Sequence, residues 1–374
     1  MKKLLLISVL CCITMVIYAQ NMRCTAVARD VATLNLKDAF ANVNTKKTVR
    51  VIIHFPLKSN GTENFTETKD CFGNPSNHNG YWFAEKFIEI ANYCLRNNVE
   101  MQQQLSYKKP IPVNPINIQL VLAGVVFHRN DNLFYYVVNE KNYKMYANPT
   151  TLSLTANYVD QTIKEDALHV FLYNGQCGYG ISEVSGNICV VQGVDNVYKG
   201  YINHNKNDWY FEGWIVRLSL HEMGHCFSLK HPKLSSNGKK CESMDCDFDD
   251  DCSDTPTYQE LIADGYKNPY EWNGEEQSNN FMDYSSYLAA WTPCQIERVH
   301  KNIAQRARIC SNSYKNTTAT LSSSVNQENK IVVARRVTAK NVAIAKDKAL
   351  FANCVEFQTN GTFEVPLGAT LEIK

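Results

Sequence analysis

The chain has 374 residues, of which 44% are hydrophobic and 20% are charged. This length and this balance are those of an ordinary globular protein with one sizeable domain and smaller flanking segments, and they exclude a disordered or fibrous chain. The 38 Lys and Arg residues nearly cancel the 37 Asp and Glu residues, so no overall field steers the protein to nucleic acid or to an anionic membrane.

The N-terminus has the pattern of an export signal. Two lysines precede an apolar stretch from Leu4 to Tyr18, and Ala19 stands before polar residues. A membrane anchor is the alternative, but the stretch is shorter than the roughly 20 residues that a spanning helix needs. We therefore predict a signal peptide over 1–19, a secreted protein, and no stable membrane association.

Cysteine usage agrees with export. Of the 14 cysteines, Cys11 and Cys12 fall within the signal, and an even dozen follow it. An exported chain with this many cysteines is expected to carry disulfides. Cys241, Cys246 and Cys252 could instead hold a second metal ion, but their spacing is irregular and contains no C-x-x-C, so disulfides are favoured.

Hydrophobic spacing predicts one main domain over 46–312, preceded by a weakly periodic segment, 20–45, that stands where a pro-segment would. Apolar runs predict strands, and apolar residues three or four apart predict helices. The predicted strands are 49–55, 116–127, 169–173 and 188–192, and the predicted helices are 81–95, 211–229 and 292–307. The segment 241–280 is acidic and rich in turn formers, which predicts a long loop.

The C-terminal part has a different character. Residues 313–330 are rich in Ser, Thr and Asn and are predicted to be a linker. Residues 331–374 contain short β-like runs about ten residues apart, which is typical of a small all-β unit.

The predicted helix 211–229 carries the sequence His221-Glu222-Met223-Gly224-His225. Residues four apart on a helix lie about 40° apart in projection and about 6 Å apart along the axis, so both imidazoles can reach one ion. Imidazole nitrogen suits zinc, and Glu222 beside them can take a proton from a zinc-bound water. This is the zincin arrangement.

His231 is the candidate third ligand. If the helix continued past His225, His231 would lie about 240° around the axis and about 9 Å further along, on the wrong side. The chain must therefore turn between the two residues. Glu260, in the E-x-x-x-D run that ends at Asp264, is the alternative third ligand, as in thermolysin-like enzymes.

The stretch from His221 to His231 resembles the metzincin metallopeptidases, and within them the pappalysin and ulilysin-like (cytophagalysin-type) group, whose pattern is H-E-x-x-H-x-x-G-x-x-H. Ser228 stands where that family has the glycine that makes the tight turn to the third histidine. A non-glycine residue with positive φ there costs on the order of 1 kcal/mol. The departure concerns the geometry of the turn and leaves the ligand set unchanged.

Downstream segments extend the resemblance. Asn280 to Ser285 is similar to the family's Met-turn, which implies that Met282 lies beneath the metal and that Tyr284 approaches it and stabilises the oxyanion. The segment that ends Asp254-Thr255-Pro256 is similar to the family's acidic G-D-x-x-x-D-T-P segment, and the segment that begins at Trp291 is similar to its F-T-x-x-Q helix start.

Two weaker signals stay open. Cys24 resembles the R-x-C-G motif of related pro-segments, without the glycine, and by that resemblance its thiolate would occupy the fourth zinc position and keep the enzyme latent; half of an ordinary disulfide is the alternative. The acidic run that includes Asp250 and Asp254 could hold Ca²⁺ through carboxylate oxygens, or could be a solvated loop.

Together the patterns predict an α/β (α+β) fold of metzincin type, with a twisted mixed sheet, an active-site helix, a catalytic domain over 46–312 and a small C-terminal all-β segment. The resemblance implies a secreted zinc endopeptidase, a zymogen, that cleaves protein or peptide substrates with water activated by Glu222. Two alternatives remain: an exported binding or adhesion module that keeps zinc structurally, and a zinc amidohydrolase that acts on non-peptide amides.

Overall fold

The computed structural model describes residues 43–101, 111–137, 149–175, 178–232, 250–255, 279–283, 288–314, 318–327 and 329–374, together with the backbone of 23–27. Six strands form one mixed sheet in the order β1-β5-β6-β4-β2-β3, in which neighbours are parallel except for the antiparallel pair β5 and β6. They are β1 (Arg23–Val27), β2 (Lys47–Leu57), β3 (Ile118–Arg129), β4 (Leu168–Tyr173), β5 (Tyr179–Glu183) and β6 (Ile188–Gln192).

The first and the last helix of this unit begin at side-chain caps. Asn79 accepts the amide of Trp82 at the start of the first helix, and Thr292 forms a capping box with Gln295 at the start of the last one. The helices are α1 (Gly80–Arg96), α2 (Asp131–Val137), α3 (Pro149–Ala156), α4 (Val194–Asn203), α5 (Arg217–Cys226) and α6 (Pro293–Gln305), with a π-helical turn over Phe211–Val216 and a 3₁₀ turn over Ala307–Ile309.

The two faces of the sheet bury different cores. In β5, Tyr179 and Ile181 point to the face that α2 and α3 cover, where they pack with Leu133 and Leu152. Since side chains alternate along a strand, the residues between them point to the opposite face, where α5 packs against β5 and β6. Strands β5 and β6 are therefore the part of the sheet that meets the His-Glu helix.

Three histidines on adjacent strands β3, β2 and β4 form a hydrogen-bonded chain. His169 Nε2 lies 3.2 Å from the carbonyl oxygen of Lys164, which can only accept, so the proton is on Nε2. His169 Nδ1 then accepts from His54 Nε2 at 3.0 Å, and His54 Nδ1 accepts from His128 Nε2 at 2.8 Å. One carbonyl oxygen thus fixes all three rings in the neutral Nε2–H form.

We expect this chain to stay neutral well into the acid range. Burial lowers the pKa of His169 and His128 to about 4 and that of His54 well below its usual value. Below about pH 6.5 the unfolded chain binds protons that the folded chain does not, so each such histidine lowers the free energy of unfolding by about 1.4 kcal/mol per pH unit down to its folded pKa. Ring ¹⁵N NMR at about pH 5.5 should show three neutral Nε2–H imidazoles. A midpoint near 6.5 for any of the three would contradict the chain.

The C-terminal strands form two three-stranded parallel sheets, with orders β11-β9-β7 and β12-β10-β8. Successive strands alternate between the two sheets, so the chain coils as a two-sheet solenoid around a core that includes Val337 and Leu350. The strands are β7 (Thr318–Leu321), β8 (Asn329–Val333), β9 (Arg336–Ala343), β10 (Ala349–Asn353), β11 (Glu356–Glu364) and β12 (Thr370–Ile373).

This architecture differs from the expected linker over 313–330. That segment holds β7 and the first residues of β8. Its Ser and Thr content resembles a linker, but Thr318 to Leu321 pair in register with Arg336 to Ala339 of β9. The pairing partner lies far along the sequence, and local composition does not reveal it.

The solenoid packs on β3, the last strand of the main sheet. Asn353 Nδ2 donates to the Ala123 carbonyl at 2.8 Å, and Lys374 Nζ donates to the Leu122 carbonyl at 2.8 Å. These carbonyls lie where the register of β3 against β2 shifts, so the solenoid satisfies polar groups at an irregularity of the edge strand. Ile331 and Phe351 of the solenoid belong to the main core.

Candidate active site

Helix α5, which carries the candidate ligands His221 and His225, lies entirely within the protein, since every residue from Arg217 to Cys226 is buried. It continues from the π-helical turn Phe211–Val216, so the predicted helix over 211–229 is present but ends at Cys226. A buried helix needs its terminal backbone groups satisfied, and here the amide of Leu229 donates to the Gly224 carbonyl at 2.9 Å while Arg306 Nη1 donates to the Cys226 carbonyl at 2.7 Å.

The turn after α5 is made by Ser228 in the left-handed conformation, with φ of 72°. Its amide donates to the His225 carbonyl at 2.8 Å, which together with the Leu229 bond gives the six-to-one and five-to-two pattern of a Schellman cap. The side chain offsets part of the conformational cost, because its Oγ lies 2.7 Å from Ser185 Oγ and accepts from the buried Asn302 Nδ2. The chain reverses here and brings His231 back to the helix.

Two substitutions at position 228 separate strain from hydrogen bonding. Ser228→Ala and Ser228→Gly both remove the hydroxyl that Asn302 and Ser185 contact, but only alanine keeps the cost of a positive φ. We expect both variants to be less stable than the wild type, and Ser228→Gly to be about 1 kcal/mol more stable than Ser228→Ala. Denaturant unfolding measures the difference. Equal stabilities would show that position 228 is not strained.

The three histidines converge on one point. The Nε2 atoms of His221, His225 and His231 lie 3.1 Å (His221 to His231), 3.0 Å (His225 to His231) and 3.2 Å (His225 to His221) from one another. His221 Nδ1 lies 2.6 Å from the Phe281 carbonyl oxygen, and His225 Nδ1 lies 2.8 Å from that of Leu229. Each carbonyl oxygen keeps the ring proton on Nδ1, so both Nε2 lone pairs face the common point.

This donor set fits zinc. Nitrogens bound to one tetrahedral zinc lie about 3.3 Å apart, close to the sides of the observed triangle. Burial, the largest cause in each case, lowers the pKa of His221 to about 4, that of His225 to about 3, and that of His231 well below its usual value. Neutral imidazole is the form that binds a metal, so the site is prepared for one.

Glu222 is fully buried between the helix and strand β5. Ser182 Oγ donates to its Oε2 at 2.6 Å. Gly180, two residues earlier on the same face of β5, has no side chain, and a Cβ there would overlap Oε1 of Glu222. The carboxylate therefore packs closely against β5, next in sequence to the candidate ligand His221.

Met282 lies under the ligand helix and is fully buried. Its sulfur occupies the space beside Gly224, where a Cβ would overlap it. The Met282 amide donates to Asn280 Oδ1 at 2.9 Å, and Asn280 bridges Ala290 just before α6. The segment thus holds the Phe281 carbonyl against His221 and the methionine against the helix.

The acidic residues serve as structural acceptors. Asp250 accepts from the hydroxyl of Thr255, with Oγ1 lying 2.7 Å and 2.8 Å from its two oxygens, and Asp254 accepts from Thr292 Oγ1 at 2.7 Å and from the Cys294 amide at 2.9 Å, at the start of α6. These bonds give the calcium prediction no support. Cys252 forms a disulfide with Cys294, which confirms that disulfides occur here, and the six cysteines of the described residues that are free are all buried.

Several predicted residues fall outside the described part of the chain. They are Tyr284, the alternative ligand Glu260 with Asp264, Cys241 and Cys246, and the signal peptide. The backbone of Cys24 is described, in β1, but its side chain is not.

Sequence reasoning missed β5, which supplies Gly180 and Ser182. The alternation of Tyr179 and Ile181 with small residues is a period-two signal, but over five residues it is too short to stand out. Nothing in the sequence next to Ser182 connects it with Glu222, which lies 40 residues further along.

Comparison with known families gives one finding. Residues 196–304 match the family model described as pregnancy-associated plasma protein-A, Peptidase_M43. The matched segment covers less than a third of the chain and includes the His-Glu helix, the Met282 segment and most of α6. It supports a metzincin-type metallopeptidase, a hydrolase acting on peptide bonds whose family implies catalytic zinc. No match was found among curated proteins.

Proposed function

We propose that this chain is an exported zinc endopeptidase that hydrolyses internal peptide bonds of protein or peptide substrates. The observation that carries the proposal is the triangle of Nε2 atoms, 3.0 to 3.2 Å on a side, on the helix that also carries the buried Glu222. Three neutral imidazoles with an adjacent carboxylate form the donor and base set of a hydrolytic zinc centre.

Each residue of the proposed site has a separate role. His221, His225 and His231 would hold zinc, which when bound acidifies water and polarises a carbonyl. Glu222 acts as general base, taking a proton from the attacking water and returning it to the leaving amine. Met282 supports the ligand helix from below, and Tyr284 is proposed to stabilise the oxyanion.

Strand β1 supports a further part of the proposal, that 20–45 is a pro-segment. β1 pairs with β5 in parallel, and this pairing sets Cys24 opposite Gly180, the residue that contacts Glu222. A strand added at this edge lies where an extended peptide would reach the carboxylate. We propose that β1 keeps the enzyme latent until it is removed, with Cys24 as the candidate zinc ligand.

Export is proposed from the N-terminal sequence. None of the helices in the described part of the chain is long and apolar enough to cross a membrane. Mass spectrometry of protein recovered from the culture medium of an expressing host should show an N-terminus near Ala19 or beyond 45.

The decisive experiment is casein digestion by the purified mature protein, with and without a zinc chelator. Cleavage that the chelator abolishes and added Zn²⁺ restores is the expected result. Zinc bound at one equivalent without any cleavage of casein or of a peptide library would favour the binding module. Hydrolysis of simple amides alone would favour an amidohydrolase.

A further inference from the structure

We propose that Ser182, together with Gly180, positions the general base: the Ser182 hydroxyl orients the Glu222 carboxylate for proton transfer. The inference rests on the proposed peptidase function and extends it to two residues on a different element of the fold. Ser182 would be a positioning residue, since it acts through Glu222.

The contact is short and protected from solvent. Ser182 Oγ lies 2.6 Å from Glu222 Oε2, and both side chains are fully buried. A hydrogen bond to a charged acceptor is stronger than one between neutral groups, and the low dielectric constant around two buried side chains strengthens it further. The hydroxyl therefore restrains the rotation of the carboxylate about its last bond.

Gly180 leaves the space that the Glu222 carboxylate occupies. A Cβ at this position would overlap the carboxylate of Glu222, and the nearest atoms to it all belong to that one side chain. The φ of Gly180 is not in the left-handed region, so the backbone itself would accept alanine. The absence of a side chain here is thus required by the position of Glu222 and not by the strand.

The geometry fixes where the base can act. Strand β5 is paired with β6, which places Gly180 opposite Val191 and Ser182 opposite Cys189, so both positions stay fixed after β1 is removed. A misplacement of a reacting group by about 1 Å can lower a rate by about 100-fold. Because Ser182 of the sheet holds the Glu222 carboxylate, the carboxylate stays in place when the peptide binds. Without this hydrogen bond, it would spend less time in the orientation that accepts the proton of the attacking water.

The test compares Ser182→Ala, Ser182→Thr and Gly180→Ala in the mature protein on a peptide substrate. We expect Ser182→Ala and Gly180→Ala to lower kcat by about 10- to 100-fold with KM and zinc content unchanged, and Ser182→Thr, which keeps the hydroxyl, to recover most of the rate. Ser219→Ala is the matched control, because Ser219 is a fully buried serine on α5 whose hydroxyl has no partner among the described residues.

A double-mutant cycle supplies a readout that does not depend on activity. In the zinc-free protein, the losses of unfolding free energy caused by Ser182→Ala and Glu222→Ala should be less than additive, because each removes the same hydrogen bond. In the Glu222→Ala background, Ser182→Ala should leave the residual rate unchanged.

The outcomes separate the two levels of the proposal. Wild-type kcat in Ser182→Ala, an effect confined to KM or zinc content, or additive stability losses would overturn the positioning role and leave the peptidase proposal intact. A wild-type protein that binds zinc and cleaves no peptide would overturn both. Coupling in the stability cycle together with a selective loss of kcat supports the inference.

Discussion

Glu222→Gln should lower kcat/KM by about 10²- to 10⁴-fold while zinc remains bound, because the amide cannot accept the proton of the attacking water. The shape of the side chain is retained, and Ser182 can still donate to the amide oxygen, so folding should be little affected. Glu222→Ala should lose nearly all activity for the same reason and also lose the contact with β5.

The measurement is steady-state cleavage of a quenched fluorescent peptide, with zinc determined on the same samples by mass spectrometry. Glu85→Gln is the control, since Glu85 is an exposed carboxylate on α1. Cleavage by Glu222→Gln at the wild-type rate would remove Glu222 from the mechanism. Loss of zinc in that variant would make Glu222 part of the metal site instead.

The second large effect is expected at the third ligand. His231→Ala removes one corner of the Nε2 triangle, whose other corners lie 3.1 Å and 3.0 Å away. Removing an outer partner of a zinc ligand typically weakens metal binding by about 10- to 100-fold, so removing a ligand should weaken it by more than about 100-fold. Zinc should then be lost on dialysis against a weak chelator, and peptide cleavage should be lost with it.

Glu260→Ala is the informative comparison, because Glu260 is the alternative third ligand by sequence pattern. If His231 completes the site, Glu260→Ala keeps one equivalent of zinc. If the roles are reversed, His231→Ala keeps zinc and Glu260→Ala loses it. His204→Ala, at the C-terminus of α4, controls for the loss of an exposed histidine.

The agreement between sequence and structure is best where the pattern is local. The helix that starts after Asn79 and the helix capped by Thr292 both begin and end within one or two residues of their predicted bounds. Caps and apolar periodicity depend only on residues that are close in sequence. The predicted strands at 49–55, 169–173 and 188–192 are present in the sheet for the same reason.

The disagreements arise where a segment depends on a distant partner. Strand β7 was expected to be linker because it has only four residues and lies between runs rich in Ser and Asn, and its pairing with β9 makes it a strand. Strand β1 has no distinctive pattern of its own, and its partner β5 lies more than 150 residues away. A strand at an edge is selected by the neighbour that it pairs with, and that neighbour cannot be read from a local window.

The turn at Ser228 shows how the two kinds of information combine. The spacing of His225 and His231 on an uninterrupted helix requires a reversal between them, and the observed φ of 72° at Ser228 is that reversal. The groups that stabilise a serine there were not predictable, because Ser185 lies in the turn after β5 and Asn302 lies in α6, on either side of the helix in the sequence.

The sequence by itself indicated three candidate histidine ligands and the need for a turn before the third, because the chemistry of imidazole and the periodicity of one helix are both local. Only the tertiary structure decided that the three rings meet at one point, that the carbonyls of Phe281 and Leu229 fix the ring protons of His221 and His225, and that Glu222 packs against β5. Those contacts join residues up to 60 positions apart, and a helix's own period carries no information about the side chains that other segments bring to it.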